Sequence, residues 1–425
     1  MVKKVGPYIW KTYKEVYEEV LQIGSALRAA GAEPGCRVGI YGANCPQWII
    51  AMEACAAHTL ISVPLYDTLG PGAVDYIVDH AEVDFVFVQN TKIKGVLDPD
   101  CKSAKRLKAI VSFTNGREKP EETNPPKPSN VCTIMYTSGT TGEPKGVDLT
   151  HEAAATCVIG LDLCMDQFEE KMTPDDVYLS FLPLAHILDR ANGEYVFRNG
   201  ASVGYYHGDL NALHDDIQEL KPTFIAGVPR VFERIYEGIQ KALQELNPRR
   251  RLIFYALYKY KLAWMNRGYS RSKASPVADF IAFRKLLSSQ HLTILFPGLK
   301  IRNQLGGRLR LLVSGGAPLC PEIEEFLRVT SCCFVIQGYG LTETLGGTTL
   351  GYPDEMCMLG TFGVPALYNE IRLEEVPEMG YDPLGENPAG EICIRGKCLF
   401  SGYYKNPDEV ILDRLITSLN VLQRL

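Results

Sequence analysis

The feature that most constrains this chain is a recurring switch of periodicity, from apolar residues at helical spacing to short continuous apolar runs. Across residues 10–30 the apolar positions fall at helical intervals, Gly31 stops them, and Arg37–Tyr41 follows as a strand-like run. A helix from Pro46 and a strand over residues 61–64 repeat the pattern. It returns as residues 74–80 with 83–88, 213–220 with 223–228, and 320–329 with 333–338. Strands apolar on both faces need helices on both sides, so the expected class is α/β with mostly parallel sheets.

With 425 residues, 46% of them hydrophobic and 22% charged, the chain can bury a large core in roughly two or three domains or subdomains. A net charge of -6 gives no general attraction to nucleic acid. The compact basic run of Arg249, Arg250 and Arg251 reads as a solvated helix face. Thirteen cysteines, without spacing for zinc, read as reduced, buried thiols of a cytosol-facing protein. The most apolar stretch, residues 48–65, is broken by Glu53, His58 and Pro64 and falls short of a membrane span. Membrane contact, if any, is expected to be peripheral.

Residues 136–146 read YTSGTTGEPKG, a loop between two strand-like runs. Gly139, Gly142 and Gly146 permit the backbone turns through which successive N–H groups converge on an anion. Thr137, Ser138, Thr140 and Thr141 add hydroxyls and Lys145 a positive charge. Lys145 is followed by Gly146 rather than Ser or Thr, which excludes a Walker-type loop. A phosphate-holding hairpin is the sharper expectation, and a Gly/Ser/Thr surface loop the bland one.

Three further elements accompany it. Residues 337–344 read QGYGLTET after an apolar run and should open at a carboxyl edge of the sheet, where α/β folds bind ligands. There Tyr339 offers a face for a purine, Thr342 a hydroxyl and Glu343 a hard carboxylate for Mg²⁺. Residues 311–319, LLVSGGAPL, run a strand into Gly315 and Gly316, and residues 180–190, SFLPLAHILDR, set His186 after a proline turn. Alone, the second element could be a strand-to-turn connection and the histidine a packed core residue.

Taken together and in this order, the four elements resemble the core motifs of the adenylate-forming superfamily of acyl-CoA synthetases. The segments YGANCPQWIIAMEACAAHTLISVPLYDTL, ELKPTFIAGVPRVFERI and GEICIRGKCLFSGYYKN resemble the plant long-chain fatty acyl-CoA synthetases, above all the endoplasmic-reticulum branch serving wax and cutin. The resemblance implies the large N-terminal domain of an adenylate-forming enzyme, with stacked, mostly parallel sheets sandwiched by helices and a small β subdomain. Residues 1–359 would form the AMP-binding part as two α/β subdomains, and residues 360–407 the β subdomain.

It also implies a long-chain fatty acid-CoA ligase: a fatty carboxylate attacks the α-phosphate of Mg-ATP, and coenzyme A then displaces AMP from the acyl-adenylate. Thr137, Ser138, Gly139, Thr140, Thr141, Gly142 and Lys145 would hold the β and γ phosphates. Gly315, Gly316 and Ala317 with Gln337, Gly338 and Tyr339 would frame adenine, Gly340 belonging to the same loop, and Thr342 would touch the α-phosphate. Thr137 and Glu343 would coordinate Mg²⁺, and His186, Lys145, Thr342 and Glu343 would form the catalytic set. The acyl chain would run near Val228, Pro229 and Gly338.

Some segments depart from the family pattern. Residues 408–425 diverge where relatives continue into a ribose-binding strand and a lid with a catalytic lysine, so a lid is expected to be absent; residues 410–425 read as an amphipathic helix. Residues 286–300 read as an insertion, the linker near residues 114–117 is short, and the family's leading helix is missing. Gly193 and Asp148 stand at positions expected to cost stability. Two other readings therefore stand beside the ligase: an inactive fragment that binds ATP or lipid, and a coumarate-type aromatic acid-CoA ligase.

Overall fold

The computed structural model describes residues 6–96, 105–113, 122–138, 143–167, 171–276, 279, 305–406 and 415–417. Two seven-stranded sheets form its frame. In chain order the strands are β1 (Arg37–Tyr41), β2 (Ile61–Leu65), β3 (Phe85–Val88), β4 (Ala109–Ser112), β5 (Val131–Thr137), β6 (Lys145–Thr150), β7 (Val177–Ser180), β8 (Ser202–Tyr205), β9 (Phe224–Gly227), β10 (Leu311–Ser314), β11 (Phe334–Tyr339), β12 (Thr349–Leu350), β13 (Val364–Pro365), β14 (Asn369–Glu374), β15 (Glu391–Gly396), β16 (Gly402–Tyr403) and β17 (Leu415–Thr417).

The first sheet has the order β16-β6-β5-β2-β1-β3-β4 and is parallel from β5 to β4. The second has the order β13-β12-β11-β10-β9-β7-β8 and is parallel from β11 to β8. A small antiparallel sheet, β14-β15-β17, stands apart from both.

The main helices are α1 (Tyr13–Ala29), α2 (Pro46–Ala57), α3 (Ala73–His80), α4 (His151–Met165), α5 (Ile187–Arg198), α6 (Leu213–Leu220), α7 (Pro229–Gln244), α8 (Pro248–Met265) and α9 (Pro321–Thr330). Local chemistry sets their starts. Thr12 and Glu15 form a capping box ahead of α1, and α2, α7, α8 and α9 each begin with proline, which suits a first turn that lacks donors' partners. The FVFV of β3 is buried along its whole length, as a central parallel strand requires. Trp48, Ile50 and Ala51 of α2 pack in one core with Val20 and Leu27 of α1 and Val38 and Ile40 of β1. A second core joins β7, β9, β10 and β11 to α6, α7 and α9.

The α/β rhythm and the hairpin pairing match expectation: β5 and β6 pair antiparallel, with Thr137 opposite Lys145. β16 adds to the edge of the first sheet, Gly402 opposite Asp148 and Tyr403 opposite Val147. One expectation is corrected. Residues 415–417, expected in a helix, form an edge strand beside β15, where a Leu-Ile-Thr triplet suits a pleated surface. The thiols are free among the described cysteines, and most are buried, but Cys320 and Cys357 lie exposed. Residues 286–300 and 114–117, and residues 408–425 apart from β17, lie outside the described residues.

Candidate active site

The second sheet places three of the four glycine-rich or histidine-bearing elements at the carboxyl ends of its central strands. β10 ends at Ser314, and the chain then passes through Gly315 and Gly316, the latter at φ +81° where a side chain would be strained. β11, its parallel neighbour, continues through Gln337, Gly338 and Tyr339, so these residues finish a strand and the loop begins at Gly340. His186 sits at the head of α5 on the same edge. A small cavity of about 60 Å³ brings His186 and Leu188 together with Ser314, Gly315, Gly316, Gly338 and Gly340.

His186 caps α5. Its Nδ1 accepts the amide of Leu188 at 3.3 Å, which leaves Nε2 as the protonated nitrogen of the neutral ring. The residue is exposed at the cavity mouth, yet protein atoms surround much of the ring, and that desolvation holds its imidazole below the ordinary value. A neutral imidazole there can offer an N–H to an anionic oxygen without bringing a full charge.

The loop carrying His186 is fixed from the other sheet. Asn44, 7% exposed, follows β1 and reaches across: its Nδ2 donates to Ser180 Oγ at 2.8 Å and to the Leu182 carbonyl at 2.6 Å, while its Oδ1 accepts the Leu184 amide at 3.1 Å. Asp189, in the first turn of α5, accepts from Ser180 Oγ at 2.6 Å and from the Tyr178 hydroxyl at 2.5 Å. Burial raises the Asp189 carboxyl to about 7 even against these donors.

Lys145, at the base of the β5–β6 hairpin, reaches Tyr403 from the first sheet. Lys145 opens β6, and its ammonium lies 5.4 Å from the centre of the Tyr403 ring. The Tyr403 hydroxyl donates to Glu343 Oε1 at 2.8 Å. Two main-chain bonds hold this arrangement: the Phe400 amide to the Glu343 carbonyl at 2.9 Å, and the Tyr404 amide to the Gly146 carbonyl at 2.8 Å. Lys145 and Glu343 therefore meet through Tyr403, with Thr137 on the strand directly opposite Lys145.

Of the expected site residues, Gly139, Thr140, Thr141 and Gly142 lie outside the described residues, while Ser138 is exposed at their edge. Ala317 is exposed beyond Gly316, and Thr342 opens a short 3-10 turn that carries Glu343. Gln337 is buried, and its side chain is engaged within the protein: Oε1 accepts the Leu319 amide at 2.6 Å and Nε2 donates to the Thr361 carbonyl at 3.0 Å. Its side chain shapes the SGGAPL turn.

Three residues escaped sequence reasoning. Ser314 lines the cavity with a buried hydroxyl that has no hydrogen-bond partner among the described residues. Asn44 and Tyr403 lay inside quoted segments, but their partners are far away in sequence.

The residues fit a magnesium-nucleotide complex. Among the described residues no group of three His, Cys, Asp or Glu side chains forms a self-sufficient metal cage. One carboxylate, Glu343, and one threonine hydroxyl, Thr137, are instead the sparse oxygen set that Mg²⁺ uses when substrate phosphates and water complete its shell, and the Lys145 ammonium, which can only donate, would be a countercharge to phosphate and not a ligand.

Two mostly parallel sheets flanked by helices, with this glycine-rich edge, form the N-terminal-domain fold of an adenylate-forming enzyme. The chain belongs to the family of AMP-binding enzymes, whose pattern matches residues 1–404. It is 77% identical to long chain acyl-CoA synthetase 1 of Arabidopsis thaliana over 431 residues, covering 96% of this chain and 63% of that protein. It is 47% identical to long chain acyl-CoA synthetase 3 of the same plant, covering 96% and 64%. The chain thus spans a little under two thirds of the length of these relatives. Among solved structures, the inhibitor-bound N-terminal domain of FACL13 from Mycobacterium tuberculosis superposes with a TM-score of 0.69 at 17% identity, covering 96% of this chain and 89% of that one. The o-succinylbenzoate CoA synthetase of Bacillus subtilis, in complex with its acyl-adenylate intermediate, gives 0.67 at 18%, covering 96% and 69%. At such identities these two likenesses establish the fold.

Proposed function

We propose that this site binds Mg-ATP and activates a long-chain fatty acid as its acyl-adenylate, the first half of a fatty acid-CoA ligase reaction that coenzyme A completes. The observation that carries the reading is convergence: His186, the Gly315–Gly316 turn and Gly340 line one cavity, while Lys145 and Glu343 meet across Tyr403. A carboxylate attacking a polyphosphate needs its charge offset. Lys145 and the N–H groups of the hairpin would serve the β and γ phosphates, Thr342 the α-phosphate, and His186 Nε2–H the carboxylate oxygen. Glu343 and Thr137 would hold Mg²⁺, which when bound neutralises phosphate charge. The similarity to long chain acyl-CoA synthetases supports fatty acid over coumarate as the acid. A cytosol-facing position, peripheral at the endoplasmic reticulum, completes the proposal; no described helix is long and apolar enough to cross a membrane.

The test is pyrophosphate release from Mg-ATP by this chain, with palmitate and coumarate compared and coenzyme A present or absent. Release with palmitate is expected. Release with coumarate alone would assign an aromatic acid. Absence of release, while Mg-ATP still raises the thermal midpoint, would reduce the reading to nucleotide binding without turnover.

A further inference from the structure

The basic triplet Arg249–Arg251 opens α8, and the structure gives it a setting that the sequence alone did not. Residues 246–278 contain no Asp or Glu and eight Lys or Arg, in a chain whose net charge is -6. Two of the eight, Lys261 and Arg271, are buried in ion pairs with Asp279 and Asp354. The other six (8 − 2) are Arg249, Arg250, Arg251, Lys259, Arg267 and Lys273.

The outward side of α8 is also apolar. Phe254 and Met265 face inward, Phe254 packing with Phe326 of α9. The opposite face should then be charged if it met only water. Instead Leu252 is 72% exposed, Ile253 40% and Tyr260 54%, with Ala256 exposed between them and Ala263 beyond. These positions follow one another at three- and four-residue steps, so they form a single stripe along a helix of 18 residues, about 27 Å long. Just beyond the helix, Tyr269 is 47% exposed and meets Trp264 edge-on, and Arg267 lies over the Trp264 ring.

We propose that α8 and the turn after it dock flat on an anionic lipid bilayer, Leu252, Ile253 and Tyr260 entering the headgroup–acyl boundary and the six cations facing lipid phosphates. Apolar and aromatic side chains flanked by Lys and Arg on a helix too polar to span are the pattern of an in-plane interfacial helix, and the unbroken positive charge selects an anionic surface over a zwitterionic one. This deepens the peripheral contact proposed above by naming the surface and the lipid class. A substrate dissolved in a bilayer would thereby lie close to the enzyme.

The experiment is co-sedimentation of the chain with phosphatidylcholine vesicles, with and without phosphatidylserine, at low and high salt. Binding should require phosphatidylserine and weaken with salt. The triple variant R249Q/R250Q/R251Q should bind phosphatidylserine vesicles roughly 100-fold more weakly, at about 1 kcal/mol per cation. L252S/I253S should bind about tenfold more weakly without gaining salt sensitivity. All these side chains are exposed or half-buried, so both variants should keep the parent's thermal midpoint and ATP binding. Equal binding to both vesicle types, or variants that bind like the parent, would overturn the proposal, as would a short RNA oligonucleotide that competes vesicles off the same residues. Loss of ATP binding by the parent chain would sink the catalytic reading and leave the membrane surface standing.

Discussion

Tyr403 donates its hydroxyl to Glu343 Oε1 at 2.8 Å while its ring lies 5.4 Å below the Lys145 ammonium. One carboxylate oxygen is thereby oriented, and in the proposed reading the other would meet Mg²⁺. Groups that orient a metal ligand typically change metal affinity 10–100-fold when removed. Tyr403→Phe, which keeps the ring, should weaken ATP binding about tenfold in magnesium and leave it unchanged in EDTA. Titration of ATP under both conditions checks this, and an equal loss in both would reduce Tyr403 to packing.

Asn44 ties the two sheets together beneath the His186 loop. Its replacement by alanine would strand the Leu184 amide and the Leu182 carbonyl in a buried setting, with Ser180 and Asp189 losing a neighbour. Unsatisfied buried groups cost about 1–3 kcal/mol each, with partial relief from entering water. Asn44→Ala should therefore lower unfolding free energy by about 3 kcal/mol in urea titrations; a loss under 1 kcal/mol would mean that water replaces the side chain.

Asp148 lies in β6 between Ile134 and Gly402, with one carboxylate oxygen buried and lacking a partner among the described residues. Burial raises its carboxyl from the ordinary 3.8 to about 6, with nearby Arg37 offsetting only part of the penalty. The folded state thus holds a proton that the unfolded chain releases, so this group's contribution declines as pH climbs from about 4 to about 6 and stays low above that. Asp148→Val, suited to a strand, should stabilise the protein at pH 8 more than at pH 5. Matched urea titrations at the two pH values decide it, and an equal gain at both would show that the charge is solvated.

Two glycines should respond in opposite ways. A methyl at Gly193, inside α5, would meet open space, so Gly193→Ala should raise stability by up to about 1 kcal/mol through helix propensity. A methyl at Gly340 would overlap the Gly346 carbonyl and force the loop of residues 340–346 apart. Gly340→Ala should lower the thermal midpoint and weaken ATP binding at least tenfold. A stable, tightly binding Gly340→Ala would show that the loop can open at little cost.

What the sequence made legible was local. The runs that become β1, β3 and β9, and the hairpin of β5 and β6, each carry their pattern within a few residues. The misses are long-range. β16 is two residues long and finds its partner at Asp148, more than 250 residues earlier, so the Tyr403–Glu343 contact had no local trace. Asn44 reads as a turn residue until the second sheet is set against the first. The long-range partners of Gln337, the Leu319 amide and the Thr361 carbonyl, likewise left no local sign in the sequence. The charge of the Arg249–Arg251 triplet is visible in sequence, but which apolar neighbours share its face depends on the side that α8 turns to the core.

His186 performs two tasks that substitution can separate. As the cap of α5 it satisfies the Leu188 amide, a role that asparagine can fill and alanine cannot. As a ring lining the cavity, it is the proposed donor to the oxygen of an acid being activated. His186→Ala should lose about 1 kcal/mol of stability, and His186→Asn little. Both should bind ATP like the parent, yet bind a non-hydrolysable palmitoyl-adenylate analogue at least tenfold more weakly and release pyrophosphate correspondingly more slowly. Because desolvation lowers the ring's pKa from the ordinary imidazole value, any fall in the parent's analogue affinity on acidification should set in at lower pH than for an ordinary histidine. Should His186→Asn match the parent in analogue binding, the histidine is a helix cap alone and another donor must serve the carboxylate.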